Sequence, residues 1–354
     1  KETHLGIGLV TSKKHEAEYI KSRISACKSV CYGIQSIGSA KTPLSPVVSS
    51  KLYNSVCIPK LCYGVEIMDI EVETQNSMEQ FHSMSSKMFQ GLPLQSACVG
   101  SIGNIGWMSV EAIIDIMRLT FLWRILSLPM ACIYKKIMVK RIILLLHKES
   151  RLGPTWNMIK TCIKYGLLDT LTESVETGIY MPYDVWKRSV KKIVGEKYIK
   201  SWKVNCKLYK SLAYLDAECK ANVGCSGWIQ FIHKSPNLTR KCRLVLNLVV
   251  NSYRLGKDRC MLCDSFKLDS IEHILFECSH GSADRPALWS SVIEVCPTPL
   301  VNMLTQMTIF ERSKFLLNAF RCNYIVEWHQ IYVRVCEFIY VIYNDHYNCK
   351  REIL

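Results

Sequence analysis

Residues 109–128 read SVEAIIDIMRLTFLWRILSL, and this stretch decides the fold class. Wound as a helix, it is apolar on almost every side, interrupted only by Asp115, Arg118 and Arg124. A helix that is apolar all round is buried all round, which predicts the centre of an α-helical bundle. Upstream, Ile20, Ile24, Cys27, Cys31 and Ile34 recur at steps of three and four with Lys21, Arg23 and Lys28 between them, the pattern of an amphipathic helix. A second helix is predicted to take Ser45 as its cap and Pro46 in its first turn, to bury Val48, Leu52 and Val56, and to end before Pro59. A third is predicted to start at Asn76 with Glu79 placed as in a capping box, to bury Met78, Phe81, Ser85 and Met88, and to stop at Gly91-Leu92-Pro93. The opening, His4 to Val10, reads as a short buried strand ending in a turn.

Downstream of Pro129 the pattern stays helical and turns basic. Between Lys187 and Lys210 there are nine Lys/Arg against the single Glu196, a surplus of eight. Lys187, Arg188, Lys191, Lys192, Lys197, Lys200 and Lys203 are the candidate phosphate contacts, because cations that neutralise phosphates release counterions whatever the base sequence. Trp202 is the candidate for stacking on unpaired bases, with Trp186, Tyr198 and Tyr209 threaded through the same run. The same pattern also fits a solvated helix face with its aromatic residues in the core. Asn237 to Leu255 mixes Arg240, Lys241, Arg243 and Arg254 with a Leu/Val face. The last sixty residues read as two more helices with Trp328, Tyr332 and Phe338 as core, and no internal repeat is visible. The expected fold is mainly α.

Composition narrows the class. The chain has 354 residues, a formal charge of +15, 49% apolar and 21% charged residues and 18 cysteines, which describes packed globular protein of two or three domains rather than a disordered tail. Lys1 to Val10 offers no secretory signal, and without an initiator Met the chain reads as a fragment. Two apolar stretches raise the question of a membrane span. Leu119–Tyr134 contains Arg124, and Tyr324–Tyr343 carries Glu327, His329, Arg334 and Glu337, so both are expected to be buried helices. Scattered cysteines in a long chain with no secretory signal are expected to be reduced core thiols, with a metal site as the exception.

Cys260, Cys263, His273 and Cys278 supply that exception, spaced C-x2-C-x9-H-x4-C. Two thiolates separated by two residues can chelate one tetrahedral ion, and a His and a Cys returning from the next hairpin or short helix close the shell of a structural zinc site. One Zn2+ is expected, with no position left for water. The five-residue separation of His273 and Cys278 does not put both on one face of a regular helix, so the turn is expected to break at Phe276-Glu277. His280 is a substitute ligand by position. The other reading is a set of buried thiols in a cysteine-rich core. A redox C-x-x-C lacks the thioredoxin-like alternation of strands and helices it needs.

Further motifs run along the chain in order. They are His4-Leu5-Gly6-Ile7, Leu52-Tyr53, Pro59-Lys60-Leu61, Tyr63-Gly64-Val65-Glu66, Met78-Glu79, His82, Lys87, Gly91-Leu92-Pro93, Gly103, Gly106, Glu111 and Arg118. After a gap come Cys260, Cys263, Glu272-His273, Phe276-Glu277-Cys278, Arg285 and Leu288-Trp289. Together they resemble the C-terminal part of a non-LTR (LINE-type) retrotransposon reverse transcriptase polyprotein, from the end of the palm through the thumb to the reverse transcriptase zinc-binding module. The resemblance covers nearly the whole chain and is strongest over residues 1–130 and 240–290. His4 stands where the family has Tyr, Met68 where it has Trp, His82 where it has Gln and Lys87 where it has Arg. The resemblance implies the end of the palm and a thumb-like helical bundle over residues 1–130 and a basic helical connector over 131–239. The zinc-binding module would occupy 240–295 and C-terminal helices 296–354.

It also implies RNA and/or DNA as partners, together with the palm, fingers and endonuclease of the parent polyprotein, a cytoplasmic and/or nuclear location, and no membrane. Polymerisation needs paired aspartates to hold two metal ions, and the family carries them in a Tyr-x-Asp-Asp turn upstream of Lys1. Tyr343-Asn344-Asp345-His346 has one carboxylate and reads as surface residues of a C-terminal helix. No catalytic residue is assigned, and the chain is expected to be inactive alone. A zinc enzyme is disfavoured by the closed shell. The alternative function is a domesticated or decayed retroelement remnant that acts as a structural or protein-interaction module.

Overall fold

Helices dominate the computed structural model, which describes residues 3–4, 7–8, 13–37, 44–147, 153–215, 226–250, 259–263, 265, 267–280, 283–318 and 328–353. In chain order the helices are α1 (Lys13–Ser36), α2 (Pro46–Leu52), α3 (Ile58–Leu61), α4 (Val72–Gln90), α5 (Cys98–Ile105), α6 (Val110–Leu126), α7 (Ile133–His147) and α8 (Pro154–Lys164). They continue with α9 (Leu168–Thr177), α10 (Tyr183–Leu208), α11 (Gly227–Lys234), α12 (Thr239–Val250), α13 (Arg285–Glu294), α14 (Thr298–Gln306), α15 (Ile309–Asn318) and α16 (Trp328–Ile353). The fold is mainly α, as expected. Among the described residues no helix is long and apolar enough to cross a membrane. The described cysteines are free thiols, most of them buried.

The chain divides into two compact units, each built from several separate stretches of sequence. The first comprises Lys1–Ile34, Lys51–His82 and Met108–Ser201, and the second Gln35–Ser50, Ser83–Trp107 and Trp202–Leu354.

In the first unit α6 is central, as its apolar girth predicts. Ser109 caps it, the hydroxyl accepting from the Ala112 N–H at 3.2 Å, and Leu119, Leu122, Trp123 and Leu126 are fully buried among α7, α8, α9 and α10. Trp123 and Trp186 stack with ring centroids 3.8 Å apart at 9°. The charged exception, Asp115, is 4% exposed and accepts from Lys164 Nζ at 2.6 Å and the Tyr165 hydroxyl at 2.9 Å. α1 buries the five residues expected of it.

Other expectations shift. The predicted second helix does not end before Pro59. It passes through one wide turn, Tyr53–Cys57, into α3, and it buries Pro46, Ser49, Tyr53, Cys57 and Leu61, while Val48 and Leu52 are half-buried and Val56 is exposed. The widening accommodates a proline, which cannot donate to the carbonyl four residues back. α4 starts at Val72, four residues before the expected Asn76, and Glu79 caps no residue of its own helix but accepts from the Glu111 N–H at 2.9 Å. It buries Met78, Phe81 and Ser85, leaves Met88 half-buried, and stops at Gly91. In place of one opening strand, Thr3–His4 pairs antiparallel with Ile7–Gly8, and Leu5, Gly6, Leu9 and Val10 lie outside the described residues.

In the second unit α11, α12, α15 and α16 share a core. The Trp228 indole N–H donates to the Leu317 carbonyl at 2.8 Å, Trp228 meets Tyr332 edge to face at 4.8 Å, and the Cys242 and Cys336 sulfurs lie 3.6 Å apart. Residues 251–258, with Arg254, and the Trp328 side chain lie outside the described residues. Among the described residues of the last sixty there are three helices, α14 to α16, instead of two.

Candidate metal centre

Two short segments bring the four expected ligands together. Cys260 and Cys263 lie on a small hairpin in which Arg259 bridges Leu268 antiparallel and the Cys260 N–H donates to the Lys267 carbonyl at 2.9 Å. His273 and Cys278 lie on a wide helical turn, His273–Glu277, that Ser270 opens by accepting from the His273 N–H at 3.3 Å. The turn does not break at Phe276-Glu277. It widens, and the Cys278 N–H donates to the His273 carbonyl five residues back at 2.7 Å. A turn of that pitch brings residues five apart to one side, which a regular helix cannot do.

The ligand atoms of Cys260, Cys263, His273 and Cys278 all lie within 4.8 Å of one another. The Cys260 and Cys278 sulfurs are 3.8 Å apart, and Cys263 Sγ is 3.3 Å from His273 Nε2. For bonds of about 2.3 Å to sulfur and 2.0–2.1 Å to nitrogen, the edges of a tetrahedron are about 3.8 and 3.6 Å. Such a group can hold a metal ion. Cys260, His273 and Cys278 are buried and Cys263 is half-buried. His280 is exposed and outside the group.

Burial pushes the Cys278 thiol up to about 12 and raises Cys260 as well. Burial would also raise Cys263, but hydrogen bonds to Ser265 outweigh it and lower the thiol. Burial lowers His273, keeping the imidazole neutral as a ligand must be. Its Nδ1 faces the Glu277 carboxylate at 3.8 Å. The two buried, high-lying thiols of Cys260 and Cys278, 3.8 Å apart, are costly as thiolates, and a divalent cation beside them removes that cost.

The residues around the group brace it. Arg285 donates to the Ile274 carbonyl at 3.4 Å, the Tyr214 hydroxyl donates to Glu272, and Phe276 packs edge to face on Trp289 at 5.4 Å and against Phe338 at 5.6 Å. One neighbour was missed by the sequence reading. His346 is not a surface residue: it is 6% exposed and its Nε2 donates to Asp269 Oδ1 at 2.7 Å, while Lys350 Nζ donates to Asp269 Oδ2 at 2.8 Å. The signal was available in Phe338, Ile342, His346 and Lys350, which recur every four residues along one face of α16.

No protein-family model, curated protein or solved structure matches the chain.

The basic run forms α10. Arg188, Lys191, Lys192, Lys197 and Lys200 are exposed, and Lys187 and Lys203 are half-buried. Lys197 is engaged, donating to the Lys164 carbonyl and lying 5.2 Å from the Tyr165 ring centroid. Trp202 does not offer a stacking surface. It is 5% exposed, its indole N–H donates to the Val99 carbonyl at 2.9 Å, and its ring covers Gly103 so closely that a Cβ there would lie 2.3 Å from Cζ2. The candidate phosphate contacts therefore remain on the surface, and the candidate stacking residue belongs to the core. Trp186 is buried likewise.

Proposed function

We propose that the chain is the non-catalytic C-terminal part of a non-LTR retrotransposon reverse transcriptase, which binds RNA or DNA template-primer through its helical surface and carries one structural Zn2+ on Cys260, Cys263, His273 and Cys278. The observation that carries this reading is the convergence of those four ligand atoms from a C-x2-C-x9-H-x4-C spacing. The donor set of three sulfurs and one imidazole nitrogen suits zinc and leaves no open position, which fits a structural ion rather than a catalytic one.

Two departures from the family pattern keep the chemistry of the residue they replace. His82 accepts from the Tyr53 hydroxyl through Nδ1 and donates to the Met108 carbonyl through Nε2, each at 3.0 Å, and a Gln amide can do both. Lys87 Nζ donates to the Leu94 carbonyl at 2.7 Å across the Gly91-Leu92-Pro93 turn, a bond that an Arg can also make. The cationic face of α10 supports nucleic acid as the partner, since backbone phosphates are recognised by charge and without regard to sequence.

The test uses single-stranded RNA of unrelated sequences. Affinity should fall by orders of magnitude from about 50 to 200 mM salt. The combined change of Arg188, Lys191, Lys192 and Lys200 to Gln should weaken all sequences alike and reduce the salt slope by about 3, at roughly 0.7 per single-strand phosphate contact. A quadruple variant that binds as the parent does removes α10 as the contact surface and favours the protein-interaction reading.

A further inference from the structure

Asp269 is the joint between the two ligand-bearing segments. The hairpin that carries Cys260 and Cys263 ends at Leu268, and Ser270 opens the turn that carries His273 and Cys278. A rotation at the single residue between them swings one ligand pair against the other. Asp269 is 5% exposed, and both of its oxygens are taken from α16, Oδ1 by His346 Nε2 at 2.7 Å and Oδ2 by Lys350 Nζ at 2.8 Å. Its carboxylate, Cys260 Sγ and a ring nitrogen of His346 lie within 4.8 Å of one another. That trio does not form a second cation site, because the Lys350 ammonium already occupies Asp269. The same face of α16 also meets the other segment, where Phe338 packs against Phe276.

We infer that Asp269 is a positioning residue for the metal centre, and that α16 completes the centre from the far end of the chain by holding this joint through His346 and Lys350. The inference rests on the metal reading above. Groups outside the ligand shell that fix ligand orientation are typically worth 10–100-fold in metal affinity. By linkage, the ion must in turn stabilise the docking of α16. Metal retention then depends on an intact C-terminal helix, although no residue of that helix is a ligand.

The experiment measures zinc affinity of the full chain by competition with a chelating dye, together with the visible spectrum of the Co(II)-substituted protein. His346→Ala and Lys350→Met should each weaken zinc 10–100-fold while the Co(II) spectrum keeps its thiolate charge-transfer intensity and changes in the d–d region. His346→Gln, which restores an N–H donor, should recover most of the affinity, and Arg334→Gln, on the exposed face of α16, should leave it unchanged. In the parent, zinc should slow amide exchange over residues 342–350. A His346→Ala protein within twofold of the parent overturns the inference and leaves the metal reading standing. Equal weakening by His346→Ala and His346→Gln also overturns it, since helix packing and not the bond to Asp269 would then be the cause. A parent that binds no zinc removes both.

Discussion

At His82 a single buried side chain links a motif to acid stability. Its ring is 0% exposed, and burial holds its pKa down at about 4 against an ordinary 6.5. A base whose pKa is lower folded than unfolded takes up protons on unfolding between those two values. Its contribution is therefore complete above about pH 6.5 and is lost as pH falls towards about 4, up to about 3 kcal/mol at 1.36 kcal/mol per unit. His82→Gln can keep both hydrogen bonds without a proton to gain. The variant should unfold in urea within about 1 kcal/mol of the parent at pH 7.5, close to the worth of one hydrogen bond, and should lose less stability than the parent between pH 6.5 and 4.5. Parallel pH curves would show that His82 is not the titrating group. Other acid-sensitive groups affect both proteins alike, so the difference isolates this residue.

Element by element, regular periodicity was legible and departures from it were not. α1 buries the residues its spacing selects and α6 lies at the centre that its apolar girth predicts, because both are unbroken helices of ordinary pitch. Two of the departures fall at the wide turns, Tyr53–Cys57 and His273–Glu277, where one extra residue per turn moves the buried face and no 3.6-residue template reports it. The four residues of the cluster that could hold a metal ion were legible from residue type and spacing alone, while the pitch that unites His273 with Cys278 was not. Trp202 was misread for a different reason. Trp186, Val190 and Val194 fall four apart and are buried, and Trp202 and Cys206 repeat that spacing further along and are buried too, but the lysines between them drew the aromatic into the surface reading. Trp202→Ala should accordingly cost about 3–5 kcal/mol, as for a buried Trp, and Gly103→Ala about 1–3 kcal/mol by forcing a methyl into the held indole. RNA affinity per folded molecule should stay within about twofold in both variants, as neither residue is at the surface. A stable Trp202→Ala protein that loses RNA binding would return the indole to the stacking role.

Over the whole molecule, the division into units decides how far loss of the metal can spread. All four ligands, Asp269 and α16 belong to the second unit, whereas the stacked Trp123 and Trp186 and the helices around α6 belong to the first. Structural zinc in finger-like peptides contributes on the order of 10 kcal/mol of apparent binding free energy, because there the ion is the only core. Here the ligand segments also pack on α13 and α16 through Phe276, Trp289 and Phe338, so metal removal should loosen a larger region by a smaller amount than in an isolated finger. Treatment with a chelator should therefore raise amide exchange over residues 259–280, in α13 and along α16 together, and leave α6, α8 and the first half of α10 protected. Since exchange reports local opening free energies, the pattern maps the cooperative unit directly. Faster exchange confined to residues 259–280 would make the module a free-standing finger. Faster exchange throughout α6 and α8 would mean that the ion stabilises the whole chain as one cooperative body.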